Sequence, residues 1–234
     1  MTLLTIVQAA SDELSLTRPD SVIGNTDDEV VKLLRYANRS GLRLMKMFPW
    51  QVLRTEHSFT SIAGTEQTGI LPADFDRFVP ETFWNRSESR FMSGPVSSVE
   101  WQSLVGVTYA GNERKFAQRG NSILVYPALS AGATLAFEYI SVNWCQSSGG
   151  TGQSAWAADT DTGVLDEELI TLRMVLDYAA AENLPANKAA ADYQEYLDLL
   201  TANERSNGNI LAVADIFGPG RRFSGAPLTT GERW

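Results

Sequence analysis

The chain carries few groups able to make or break a covalent bond. It has one histidine, His57, and one cysteine, Cys145. An intrachain disulfide, a cysteine metal cage and a multi-histidine metal site are therefore excluded. His57 falls in an alternating run, 51–61, and no serine or cysteine beside it sits in a nucleophile-elbow context, so it reads as structural. Cys145 ends a strand next to Trp144 and reads as a small hydrophobe. The run 148–154, SGGTGQS, has the glycines of a phosphate loop but lacks its lysine, and reads as a plain loop. No catalytic residue, cofactor or metal ligand is expected.

Two sets of charged side chains remain. Asp74, Asp76, Glu81, Glu88 and Glu100 could supply the carboxylate pair of a glycoside hydrolase, which needs two acids about 5–10 Å apart. A chain with 28 acidic residues offers such pairs by composition alone. Asp74 and Asp76 read as turn acids, and Arg77 and Glu81 are expected on one strand face as a pair. Arg35, Arg39 and Arg43 repeat at one helical period and could touch phosphates, but a subunit contact or a solvated face is the simpler reading.

The 234 residues are 44% hydrophobic, enough for a sizeable core. No stretch approaches the ~20 apolar residues needed to span a bilayer. The opening MTLLTIVQAASDE has no basic n-region, so synthesis in the cytoplasm without a signal peptide is expected. Net charge is −9, which opposes general nucleic-acid binding. Residues 146–206 carry three basic against eleven acidic groups, nearly the whole excess.

These side chains need a frame. The spacing predicts helices over 3–16, 27–48, 162–182 and 186–204. The helix over 27–48 pairs an apolar row, including Leu33, Ala37 and Leu44, with a basic row that includes Lys32 and Lys46. Thr26 is its expected cap and Pro49 its stop. Thr2 or Thr5 caps the first helix, Ser97 or Ser98 a short one, and Thr162 opens the third long one. Alternation and turn residues place strands between 51 and 145. The expected fold is therefore α+β: a four-helix bundle from residues 1–50 and 162–206, with an inserted, mostly antiparallel β domain over 51–145. A flexible loop follows at 146–161, and an extended C-terminal arm at 207–234. The arm has an apolar block and the aromatic anchors Phe217, Phe223 and Trp234. Six tryptophans, Trp50, Trp84, Trp101, Trp144, Trp156 and Trp234, stand near element ends, as junction core or interface anchors.

In order and spacing, several strings resemble the head-to-tail adaptor (connector) proteins of tailed bacteriophages. They are TLLTIVQAASDEL, ANRSGLRLMKMFPWQVLRTEHSFTSIAG, LPADFDRFVPETFWNR, GPVSSVEWQSL, ILVYPALSAGATLAFEYIS and ADTDTGVLDEELITL. The type most resembled is that of short-tailed phages, related to the P22 gatekeeper ring and tail accessory factor. The resemblance implies a non-enzymatic virion subunit, made in the host cytoplasm. It implies a homo-oligomeric ring, usually of twelve copies, beneath the portal protein. Such a ring extends the DNA channel for genome ejection and offers a platform for a downstream tail or nozzle protein, with no membrane partner. Packaged DNA passes without specific binding, since an acidic lumen repels it. The arm is implied to dock on the portal or a neighbour through Ile210, Ile216, Phe217 and Arg221, with Arg222, Phe223 and Trp234. Arg35, Arg39, Arg43, Asp166, Glu167 and Glu168 are the candidate subunit-interface or channel residues, with Asp177 and Glu182 as further acids. Some relatives of the gatekeeper type are credited with cell-wall hydrolysis, which leaves a lytic glycan hydrolase as one alternative and a DNA-contacting packaging protein as another.

Overall fold

The computed structural model describes residues 1–107 and 113–208. Two helices open the chain, α1 (Leu3–Glu13) and α2 (Asp28–Met47). Thr2 and Thr5 form a reciprocal capping box at α1. Asp27, not Thr26, caps α2 by accepting the Glu29 N–H at 2.9 Å. The side chain of Asn25 takes the Asp27 N–H, so the preceding turn runs one residue further than expected.

Strands follow: β1 (Arg54–Thr60), β2 (Gly64–Thr68), β3 (Phe75–Phe78), β4 (Trp84–Asn85) and β5 (Arg90–Ser93). Next come α3 (Ser98–Gly106), capped by Ser97, and the strands β6 (Arg114–Arg119), β7 (Ser122–Leu129) and β8 (Thr134–Ser141). Pro80 falls between β3 and β4, where its missing N–H costs no ladder bond. These eight strands form one curled sheet in the order β1-β8-β4-β5-β6-β7-β2, with β3 also on β8. β5 and β6 pair in parallel and the other pairs are antiparallel.

A small second sheet joins β9 (Cys145–Gln146), β10 (Gly152–Gln153) and β11 (Thr162–Gly163). The helices α4 (Glu167–Ala181) and α5 (Asn187–Gly208) complete the described chain. Thr162 lies in β11 and does not open a helix. The backbone is still extended there, with the Val164 and Leu165 N–H groups on the Trp144 carbonyl, and Asp166 caps α4 instead. Between β9 and β11, the segment 146–161 bonds at several points. Its Trp156 N–H reaches Asn38, and Asp161 takes the Ala157 and Ala158 N–H groups.

The expected four-helix bundle is not the architecture. Among the described residues the fold is a sheet-rich α+β structure of five α-helices and a large mixed sheet. Helix α4 packs against α1, α2 and α5, but non-helical groups complete that core. Trp50, Leu53, Ile140, Trp144 and Trp156 are all buried in it. The period of 3.6 shows that a helix face is covered, not what covers it. Here the end of β8 and three tryptophans do work the reading assigned to other helices. A second core fills the curl of the sheet with interlocking rings, among them Phe78, Phe83, Phe116 and Phe137 at 4.7–5.4 Å centroid separations.

Candidate functional site

Most of the groups that read as possible chemistry have structural partners. His57 lies against the rings of Phe59 and Phe137 on the β1 and β8 face. Cys145 is fully buried, and its thiol donates to the Gln153 carbonyl at 3.3 Å. Burial, with help from Asp161, pushes that thiol up to about 12. A thiol so held is a poor nucleophile at neutral pH.

Four of the five carboxylates of the hydrolase alternative, all but Glu81, are engaged by partners. Asp74 accepts from Tyr139 and Ser141 at 3.0 and 2.7 Å. Burial and this bond push the Tyr139 hydroxyl up to about 12. Asp76, nearly buried, sits between Lys46 and Arg77. The expected Arg77–Glu81 pair does not form, because the Arg77 guanidinium is taken by Asp76 and the Met45 and Phe48 carbonyls. Glu88 pairs with Arg114 at 3.0 Å and Glu100 with Lys115 at 2.6 Å. Glu81 and Trp84 line a shallow cleft of about 500 Å³, whose other acids are Glu138 and Glu56, the latter paired with Arg86 at 2.8 Å. A carboxyl that burial does raise is Glu13, on α1 and away from that cleft, with Glu168 adding to the effect.

The basic row of α2 divides in two. Lys32 bonds Glu182 at 2.9 Å, and Arg43 bonds Asp177 at 2.8 Å, which Arg173 also holds. So part of the charge asymmetry between the early and late chain is satisfied inside one subunit. Arg35 and Arg39 are exposed and have no ion pair among the described residues. The late acids have local duties. Asp166 caps α4 and accepts from the Tyr196 hydroxyl at 3.3 Å. Glu167 accepts the Gly163 N–H and holds the N-terminal ammonium. Glu168 is exposed at the start of α4. The arm residues from Ile210 to Trp234 lie outside the described residues.

Trp50, Trp101, Trp144 and Trp156 are buried, while Trp84 is 44% exposed. The sequence reading passed over three large apolar side chains on polar helix faces: Val31 and Leu42 on α2 and Leu199 on α5, each exposed. Their signal was legible as apolar residues out of phase with the buried row. Among the described residues, no helix is long and apolar enough to cross a membrane.

The model of a phage adaptor family, the SU10 adaptor protein, matches residues 1–214. It supports the adaptor resemblance at family level and adds nothing to the P22 subtype. No curated protein matches the chain. With nine-tenths of its length matched, the chain belongs to the SU10 adaptor protein family, whose role is that of a structural phage adaptor.

Proposed function

We propose that the chain is a virion subunit at the head-to-tail junction, assembling as a ring of twelve copies beneath the portal protein. The ring extends the DNA channel and carries the next tail component. The observation that supports this most is the family match over residues 1–214. The net charge of −9 fits a channel that DNA traverses without adhering. In this reading the arm 207–234 reaches the portal or a neighbouring subunit, with Phe217, Phe223 and Trp234 as anchors and Ile210, Ile216, Arg221 and Arg222 beside them. Asp166, Glu167 and Glu168 stay near a subunit boundary or the channel through the exposed start of α4. The hydrolase alternative gains no specific observation, since most candidate catalytic acids already have partners; the DNA-contacting alternative keeps the exposed Arg35 and Arg39 but loses Arg43 to Asp177.

The test is the mass of the purified protein with and without its cognate portal. A ring, either free or formed on the portal, is the expected result. A monomer that never joins the portal would end the proposal. Deleting 210–234 is expected to leave a folded chain that joins the portal at least about tenfold more weakly. Equal binding by the truncated and full-length chains would remove the arm from the proposal.

A further inference from the structure

Helix α2 presents one row to solvent: Val31, Arg35, Arg39 and Leu42. Steps of four, four and three residues keep them on one face. Val31 and Leu42 are 40% and 48% exposed, and the two arginines between them have no ion pair among the described residues. Helix α5 presents a second row of the same length: Ala191, Glu195, Leu199 and Ala202, with Asp198 beside it. Leu199 is 56% exposed. Glu195 and Asp198 are exposed and meet no cation among the described residues; the Asp198 carboxylate accepts from the Gln194 amide. Each row spans about 16 Å of helix.

The two rows cannot meet within one subunit. Both helices pack on α4, which takes Lys32 and Arg43 of α2 through Glu182 and Asp177. Beside them α4 takes α5, with Arg173, which also holds Asp177, over the Tyr193 ring, and the Tyr193 hydroxyl reaches Met47 at the end of α2. Each solvent row therefore faces away from the shared partner. One row is basic with apolar ends. The other is acidic with an exposed leucine and small alanines.

We infer that the occupant of the α2 row is a second copy of this chain, docked through its α5 row. Arg35 and Arg39 meet Glu195 and Asp198, while Val31 and Leu42 pack near Leu199 and the alanines. Two unlike faces make a head-to-tail contact, which propagates and closes when the rotation allows. The inference deepens the ring reading and rests on it. Steering by opposite charge favours this register over α2 on α2 or α5 on α5, where like charges would face each other.

The test uses the full chain carrying Arg39→Cys and Asp198→Cys together, assembled with the portal and mildly oxidised. Cys145 is buried and stays out of the reaction. The expected result is a ladder of dimer, trimer and higher species on non-reducing gels. In parallel, Arg35→Glu with Arg39→Glu is expected to raise the concentration for half-assembly about tenfold or more. Adding Glu195→Arg and Asp198→Arg to that variant restores the formal charge of −9 and is expected to restore assembly. Circular dichroism on each variant separates misfolding from lost contact. Portal-bound assemblies that form normally without a ladder would overturn the contact and leave the adaptor reading standing. A dimer from Arg39→Cys alone would also overturn it, in favour of a twofold α2 contact. DNA retention that vanishes in Arg35→Glu with Arg39→Glu, with no ladder, would assign the row to DNA and overturn the inference. Failure to join the portal at all would overturn both readings.

Discussion

Gly41→Ala is expected to destabilise the protein although alanine is the better helix former. Gly41 is buried in the middle of α2, where the Trp144 ring lies directly on its backbone. A Cβ placed there would stand 2.2–2.5 Å from three ring carbons of Trp144. The ring has no easy retreat. It is fully buried, its Nε1 donates to the Ser154 carbonyl at 2.8 Å, and it meets Trp156 edge-on at a centroid distance of 5.2 Å. Overpacking of this kind costs about 1–3 kcal/mol. Loss of the indole hydrogen bond adds about 1 kcal/mol if the ring turns aside. The intrinsic gain of alanine over glycine in a helix returns only about 1 kcal/mol. The net loss is about 1–3 kcal/mol, a fall in Tm of roughly 3–10 °C for a chain of this size.

Urea denaturation followed by tryptophan emission and circular dichroism measures the loss. The double variant Gly41→Ala with Trp144→Phe supplies the control. The smaller ring makes room for the methyl, so the two losses should add to less than their sum, by about 1 kcal/mol or more. A Gly41→Ala protein as stable as the parent would refute the reasoning, and strict additivity would show that the ring is not the obstacle.

Asp159 accepts the Val22 and Ile23 N–H groups at 3.2 and 2.7 Å and ties the turn before α2 to the segment before β11. Asp159→Ala strands both donors and is expected to cost about 2 kcal/mol, read as a lower urea midpoint; an unchanged midpoint would count against the tie. Stability is also expected to fall at alkaline pH. The Cys145 thiol and Tyr139 hydroxyl are both raised to about 12 in the folded chain, so folding holds their protons more tightly than the unfolded chain does. Their contribution is complete below the unfolded values, about 8.5 and about 10, and is lost as pH rises towards 12. Urea midpoints between pH 8 and 11 should decline, and Tyr139→Phe should flatten the slope; a flat parent profile would contradict this. Native Cys145 should also resist a thiol reagent at pH 8 until the protein is unfolded.

The helices were legible because each carries its own period, although the caps expected at Thr26 and Thr162 fell instead to Asp27 and Asp166. Leu33, Ala37 and Leu44 fall on the buried face of α2, and Thr2 and Ser97, each one of two expected candidates, cap α1 and α3. The bundle was not legible because burial of a row does not name the partner. Trp144 and Trp156 stand far from α2 in sequence, at the end of β8 and in a Gly/Ser-rich stretch, yet they fill its groove. The side-chain assignments failed in the same way. Arg77 could have turned to Glu81 by strand alternation, but β3 ends at Phe78 and Glu81 lies in the following turn at φ 62°, so the alternation does not reach it and Arg77 pairs with Asp76.

The same contrast runs through the proposed docking row, where Arg35 and Arg39 were within reach of sequence and Val31, Leu42 and Leu199 were passed over. Catalysis needs polar groups converging from separate elements, which pattern alone cannot bring together. A docking row needs only one helix, and its members repeat along that helix. Lys32 and Arg43 look identical to Arg35 and Arg39 in the sequence, since all lie on the polar side of α2. Their fates differ because Lys32 and Arg43 lie at the edge of the polar face, within reach of Glu182 and Asp177 on α4. Arg35 and Arg39 share the centre of that face with Val31 and Leu42. A solvated helix gains nothing by holding an exposed valine and leucine among unpaired arginines. A helix that is covered on assembly gains from both, because the apolar ends lose water while the charges fix the register.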